Sequence, residues 1–288
     1  MGRLEGKCAY VLGAAGKDNM GQVIARRFAA EGAKVAVGGR HMDELQSLAD
    51  EIGGIAVKCD ITSMDDIRSS VDTIIENFGK LDIAINCTGW GLLSAFEETS
   101  EEDLKAMMDL QFKGPYQFMQ VLVGKMTAPA SIIQVSSATA TILVGNHHAY
   151  IGTKAGIDHV VRGVADEYGA KGIRVNSVSP GLTESPMTEG HLAVPGMREA
   201  FEKEYPLGRL NTSEDIAAAA VFLASDECFM TGQNLQVNGG LTLRRNPTPA
   251  ELESYVAAVS YTHLRAHETG RHISYAVFCL KIGRGGGG

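Results

Sequence analysis

The sequence predicts an α/β fold: a single doubly wound domain whose parallel sheet is covered by helices on both faces. Three observations lead there. Short, nearly continuous apolar runs recur along the chain, as strands buried on both faces require. Amphipathic helical stretches separate them, and such alternation is the signature of a doubly wound sheet. Glycine is abundant, 34 of 288 residues, while aromatic residues make up 6% with one Trp, which suits close-packed helices on a sheet better than a β-sandwich.

The elements follow in order. Residues 7–13 (KCAYVLG) form a first strand ending in glycine. A helix over 21–31 (GQVIARRFAAE) is stopped by Gly32. AKVAVGG, residues 33–39, is the second strand. Residues 41–52 are helical, with Leu45, Leu48 and Ile52 at three- and four-residue spacing. Further strands are read at 55–59, 81–89 (LDIAINCTG), 131–137 (SIIQVSS), 172–181 (GIRVNSVSPG) and 234–240 (NLQVNGG). No Pro/Gly/Ser linker and no repeat divides the chain, so residues 1–257 read as one domain.

Residues 258–288 read as foreign to it. From Ala258 the composition shifts: three of the eight His and a terminal glycine run fall here, without helical or strand period. The stretch from Val259 resembles a translated sequencing adapter: SYTHLRAHET looks like a transposon end, ISYAVFCL like the flow-cell end in the same frame, and Gly270–His272 like the barcode between them. Segments of this kind are excluded from fold reasoning, and the native C-terminus is expected to be missing.

Composition excludes several classes. A net charge of −8 lacks the basic face that nucleic acid requires. No run of about 18 apolar residues exists, so no membrane span is expected. Five Cys form no disulfide framework and no metal-ligand spacing, so no metal site is expected. The start runs directly into a strand and shows no signal peptide, so a reducing cytoplasm is the expected location.

The turn after the first strand holds Gly13, Gly16 and Gly21, with Lys17, Asn19 and Met20 between. Glycines there allow a tight turn and close backbone approach to a pyrophosphate at a helix N-terminus. At the end of the second strand stand Gly39 and Arg40. An acid here would bind the ribose 2′-OH of NAD; an arginine suits the 2′-phosphate of NADP, and Lys17 adds a second positive charge. NADP(H) is therefore expected over NAD(H).

Tyr150 and Lys154 lie at i and i+4 on one helical face. A neighbouring ammonium is expected to lower the phenol pKa toward working pH. Ser137 ends the strand SIIQVSS, where ligands of an open α/β sheet bind. Such a serine can hydrogen-bond a carbonyl oxygen while the tyrosine protonates it.

Taken together, residues 4–243 resemble the short-chain dehydrogenase/reductase family, whose fold is a Rossmann domain. Gly13–Gly21 resembles its glycine motif. Asp60, with Ile61 beside it, matches the acid at the adenine, and Asn86-Cys-Thr-Gly89 resembles its Asn-Asn-Ala-Gly stretch. Ser137, Tyr150 and Lys154 match the catalytic trio. Asn176, Pro180, Gly181 and Leu182 match the stretch after the next strand, and Ser185 falls where a Thr usually meets the nicotinamide carboxamide. The resemblance implies hydride transfer between a nicotinamide and a carbonyl or secondary alcohol carbon. Tyr150 would be the acid in reduction and the base in oxidation. Lys154 would hold the nicotinamide ribose and lower the Tyr150 pKa, and Ser137 would orient the substrate oxygen. It also implies a homo-oligomer, a tetramer or a dimer.

The departures are local. The glycine loop is longer than usual and begins after Leu12 rather than Thr. Cys87 replaces the second Asn, and Gln111 stands where the family's fourth catalytic residue, an Asn, is found. Enoyl reductases share a lengthened loop but space Tyr and Lys more widely. The substrate is expected to meet Trp90, Ser137, His147 and Tyr150, under a lid formed by residues 182–205. The lining, with residues 142–144, is mostly apolar, which points to a 3-oxoacyl chain or a small alicyclic ketone. The alternative reading is a cofactor-binding regulatory module with weak or no catalysis.

Overall fold

The computed structural model describes residues 2–267; the segment 268–288, most of the stretch read as adapter-derived, lies outside the described residues. In chain order the elements are β1 (Cys8–Leu12), α1 (Met20–Ala30), β2 (Lys34–Gly39), α2 (Met42–Ile52), β3 (Ile55–Lys58), α3 (Met64–Phe78), β4 (Ile83–Asn86), α4 (Glu101–Met108), α5 (Gly114–Lys125), β5 (Ala130–Val135), α6 (His148–Gly169) and β6 (Ile173–Pro180). There follow β7 (Thr183–Glu184), α7 (Pro186–Leu192), α8 (Met197–Glu202), β8 (Asn211–Thr212), α9 (Ser213–Ala224), β9 (Asn234–Val237) and α10 (Pro249–His267). A π-helical turn, Asp109–Lys113, joins α4 to α5.

Each apolar run expected to be a strand is one. Seven pair in parallel in the order β3-β2-β1-β4-β5-β6-β9. The order reverses between β1 and β4, and ligands of such sheets bind in the crevice outside the strand ends at that switch. Side chains alternate across the sheet. Ala9 and Val11 of β1 join one buried cluster with Phe28 of α1, Leu45 and Leu48 of α2 and Ile216 and Val221 of α9. Tyr10 and Leu12 face the other, with Ile67 and Val71 of α3, Phe118 and Leu122 of α5 and Ile157 and Val161 of α6. Full burial of such a side chain contributes about 1.5–3 kcal/mol, so these two layers hold the strand ends in register.

The expected lid, residues 182–205, contains α7 and α8, as its Pro and Gly content allows. Beneath it Tyr205, Leu210 and Leu241 form a small separate core, on which Ile142, Leu182, Leu192 and Phe201 pack. Ile142, expected to line the substrate, and Leu182, expected at the cofactor, are thus partly committed to holding the lid.

The last helix falls where the sequence reading placed no element. α10 runs from Pro249 through His267, nine residues past the point where the sequence loses its period. Its start carries a capping box: Thr248 N donates to Glu251 Oε2 at 2.8 Å and Glu251 N to Thr248 Oγ1 at 3.3 Å. Between Pro249 and Gly270 no Pro or Gly interrupts it. This segment straps the lid. Glu251 pairs with both guanidinium nitrogens of Arg245 (2.6 and 2.7 Å), the Lys203 ammonium lies 4.6 Å from the Tyr255 ring centroid, and Asn246 Nδ2 donates to Leu143 O at 3.0 Å.

Candidate active site

The cofactor half of the site is built from the C-terminal ends of β1 to β4. Gly13 leaves β1 with φ +99°, and a Cβ there would stand 2.8 Å from the Cys87 carbonyl carbon, so only glycine fits. Asn19 caps α1: its Oδ1 accepts from Gln22 N at 2.9 Å and its Nδ2 donates to Gly13 O at 2.9 Å. One side chain therefore ties the loop's first glycine to the helix end. Met20 and Gly21 form the first turn of α1, and Lys17 stands exposed in the loop.

Arg40 is exposed at the end of β2. A Cβ on the preceding Gly39 would lie 2.6 Å from the Ala15 Cβ, so no acidic side chain fits at position 39. Asp60 follows β3. Its partial burial works to raise its pKa, but hydrogen bonds from Thr62 N (2.9 Å) and Oγ1 (2.7 Å) and the Arg40 charge outweigh this and hold it below the ordinary value. Ile61 beside it is buried. Asn86, buried at the end of β4, donates to Gln134 Oε1 at 3.0 Å and accepts from Thr88 N and Oγ1, which sets the turn to Gly89. Burial pushes the Cys87 thiol up to about 12, so it is a neutral filler of the position. These bare-backbone turns, with a cation at the second strand end, fit a nicotinamide dinucleotide.

The other half comes from β5, α6 and β6. Ser137 follows β5 and accepts from Thr139 N (3.2 Å) and Oγ1 (2.8 Å). Tyr150 and Lys154 share a face of α6, with the Lys154 Nζ 5.6 Å from the Tyr150 ring centroid and donating to Val135 O at 3.0 Å. Burial pushes the Lys154 ammonium down to about 8, against the pull of the Asp158 carboxylate.

The tyrosine departs from expectation. Its pKa is raised, because burial of the phenol outweighs the lowering by the Ser137 hydroxyl that faces it. The Lys154 ammonium beside it does not offset that burial.

Asp158 was missed by the sequence reading. It continues the stripe of Tyr150 and Lys154 by one more turn, the i, i+4 spacing that signals a shared face. Ser136 Oγ (2.9 Å) and Asn234 Nδ2 donate to it, and burial raises its pKa against those bonds and the Lys154 charge.

Gln111 sits in the π turn, a feature frequent at functional sites. Its Nε2 donates to Trp90 O at 3.1 Å. Its buried Oε1 has no partner and lies 2.8 Å from where a Gly89 Cβ would stand, a point itself 3.6 Å from Lys154 Nζ. The Gln111 amide thus abuts the Gly89 turn, which Lys154 also approaches. Trp90 is part-exposed beside it, and His147 meets the Tyr150 ring edge-on at 6.1 Å. Pro180, the last residue of β6, is buried, and Gly181 N donates to Asn211 Oδ1 at 3.2 Å. Ser185 heads α7, its hydroxyl 3.3 Å from Thr188 Oγ1. The structure therefore brings the expected residues to one edge of the sheet.

Comparison with known proteins agrees. A family profile described as enoyl-(acyl carrier protein) reductase matches residues 13–242. D-threitol dehydrogenase of Mycolicibacterium smegmatis is 35% identical over 253 residues, covering 84% of this chain and 95% of that protein. The 3-oxoacyl-acyl-carrier-protein reductase of Thermotoga maritima is 34% identical over 250 residues, covering 84% of this chain and 100% of that protein. A short-chain type dehydrogenase/reductase from Mycobacterium ulcerans superposes with TM-score 0.82 at 28% identity, over 88% of this chain and 98% of that one. The chain belongs to the short-chain dehydrogenase/reductase family. It is an NAD(P)-dependent oxidoreductase of the dehydrogenase/reductase class. No helix among the described residues is long and apolar enough to cross a membrane.

Proposed function

We propose that the chain interconverts a ketone and a secondary alcohol with NADP(H). The observation that carries this is the convergence of Ser137, Tyr150 and Lys154 at the end of β5, with Lys154 anchored on Val135 O. When bound, the nicotinamide supplies or accepts the hydride. Tyr150 gives its phenolic proton to the carbonyl oxygen in reduction and takes it back in oxidation. Its raised pKa keeps the proton in place at neutral pH, which favours reduction there and oxidation at higher pH. The Ser137 hydroxyl orients the substrate oxygen, and Lys154 holds the ribose.

Gly13, Lys17, Asn19, Met20 and Gly21 serve the pyrophosphate, Asp60 and Ile61 the adenine, and Asn86, Gly89, Pro180, Gly181, Leu182 and Ser185 the nicotinamide half. Gln111 braces the Trp90 backbone. Preference for NADP rests on Arg40, with Lys17 nearby, and on Gly39 leaving no room for an acid. The profile bears an enoyl reductase's description, yet the four-residue Tyr150–Lys154 spacing supports C=O chemistry. Relatives named for D-threitol, 3-oxoacyl-acyl-carrier-protein and borneol substrates support a ketone or alcohol but span very different shapes.

Residues 1–257 form the native domain in this reading and 258–288 the adapter-derived tail. Free Cys8, Cys59, Cys87 and Cys228 suit a reducing cytoplasm. Exposed Leu104, Met108 and Tyr116 along α4 and α5 suit a homo-oligomer, a tetramer or dimer. The test follows NADPH and NADH absorbance against cyclic, aliphatic and 3-oxoacyl ketones. Consumption of NADPH well ahead of NADH with at least one class is expected; binding without consumption across the panel contradicts the reading.

A further inference from the structure

His147 is the polar group nearest Tyr150 for which the reaction so far has no use. Its Nδ1 lies 2.9 Å from Gly145 O. A carbonyl oxygen only accepts, so the proton sits on Nδ1, and in the neutral ring Nε2 is left as a lone-pair acceptor. The Nε2–Cδ2 edge faces Gly91: both atoms are 3.7 Å from where a Cβ at that residue would stand, and glycine puts no side chain over them. The backbone segments around the ring are tied down. Ser94 N donates to Asn146 O at 2.8 Å, tying the β4 loop to the turn that carries His147, and Gln111 holds the carbonyl of Trp90 beside Gly91. The imidazole stands edge-on to the Tyr150 ring at an interplanar angle of 77°. A pre-set acceptor therefore lies next to the proton-donating phenol, on the side where Trp90 borders the site.

Resting on the ketone–alcohol reading above, we propose that His147 selects substrates bearing a hydroxyl on the carbon beside the reacting one. These are α-hydroxy ketones in reduction and vicinal diols in oxidation. The phenol of Tyr150 engages the reacting oxygen while Nε2 of His147 accepts the neighbouring O–H. With the ring centroids 6.1 Å apart, one small substrate can span both rings, and a hydroxyl on the carbon beside the reacting one is the shortest such reach. A plain ketone of the same shape leaves Nε2 desolvated without a donor, and such a loss discriminates more strongly than a missing methylene does.

The test measures kcat/KM of the full chain with NADPH for hydroxyacetone and for butanone, in which a methyl replaces the hydroxyl. The wild type is expected to prefer hydroxyacetone roughly tenfold, the worth of one such hydrogen bond. His147→Phe keeps a ring but no acceptor; it is expected to lower the hydroxyacetone-to-butanone ratio of kcat/KM roughly tenfold. His147→Gln, which restores an acceptor, recovers part of the preference. NADPH binding, read by fluorescence, stays unchanged in both variants. Equal loss for both ketones, or a wild type without preference, overturns the assignment while leaving ketone reduction intact. Failure of ketone reduction itself looks different: the wild type then consumes no ketone at all, and the assignment falls with it.

Discussion

Replacing Lys154 by methionine separates the cost of the site from its use. Burial takes the Lys154 ammonium from the usual 10.5 to about 8. At about 1.4 kcal/mol per pH unit, holding that charge in the folded protein costs about 3 kcal/mol. The sign follows from proton counting. Below pH 8 the lysine is charged in folded and unfolded chains alike, and the whole cost is present. Between about 8 and 10.5 the folded protein has shed the proton while the unfolded chain keeps it, so stability from this group rises with pH. Methionine is similar in length and carries no charge, but it forfeits the bond to Val135 O, about 1 kcal/mol. Lys154→Met is thus expected to be about 2 kcal/mol more stable than wild type at neutral pH, a Tm rise of about 4–8 °C in a domain of this size. Turnover is lost. Calorimetric melts of both proteins from pH 7 to pH 9.5, roughly the window over which the lysine discharges, give the test. The difference is predicted to shrink as pH rises. A variant less stable at pH 7, or a difference that ignores pH, would refute the burial argument.

Two further perturbations address the cofactor half. Arg40→Asp removes the charge at the second strand end and is expected to raise the NADPH Kd roughly 10–100-fold, the worth of charge-assisted hydrogen bonds to a phosphate. NADH binding stays within about threefold; equal loss of both in titration calorimetry would sink the NADP assignment. Asn19→Ala deletes the α1 cap and leaves Gly13 O without its donor. About 1 kcal/mol for each predicts a Tm drop of about 4–8 °C, together with weaker cofactor binding. An unchanged Tm would show that the loop does not depend on this residue.

The strands were legible because a parallel sheet buried on both faces needs unbroken apolar runs, and CAYVL, KVAVGG and IAIN are such runs. The trio of Ser137, Tyr150 and Lys154 was legible from one strand end and one four-residue spacing. What escaped did so for physical reasons. The paired strands β7 and β8 are two residues each, too short for any period. The π turn at Asp109–Lys113 lies within a continuous helical stretch and leaves no mark in residue type. Asp158 was one helical turn further along a stripe already noticed, but its meaning depends on Ser136 and Asn234, which only the fold brings to it. The direction of the Tyr150 pKa is a contest between burial and charge, and spacing reveals the charge but not the burial. The start of α10 could have been read, since Thr248 and Glu251 form a capping box with Pro249 at the first helical position.

The central claim is that Tyr150 carries the proton for a hydride transfer. Tyr150→Phe, assayed with NADPH and the best ketone of the panel alongside a binding titration, tests it most directly. The account predicts that turnover is abolished while the NADPH Kd stays close to the wild-type value. Turnover that survives the loss of the phenolic oxygen would contradict it.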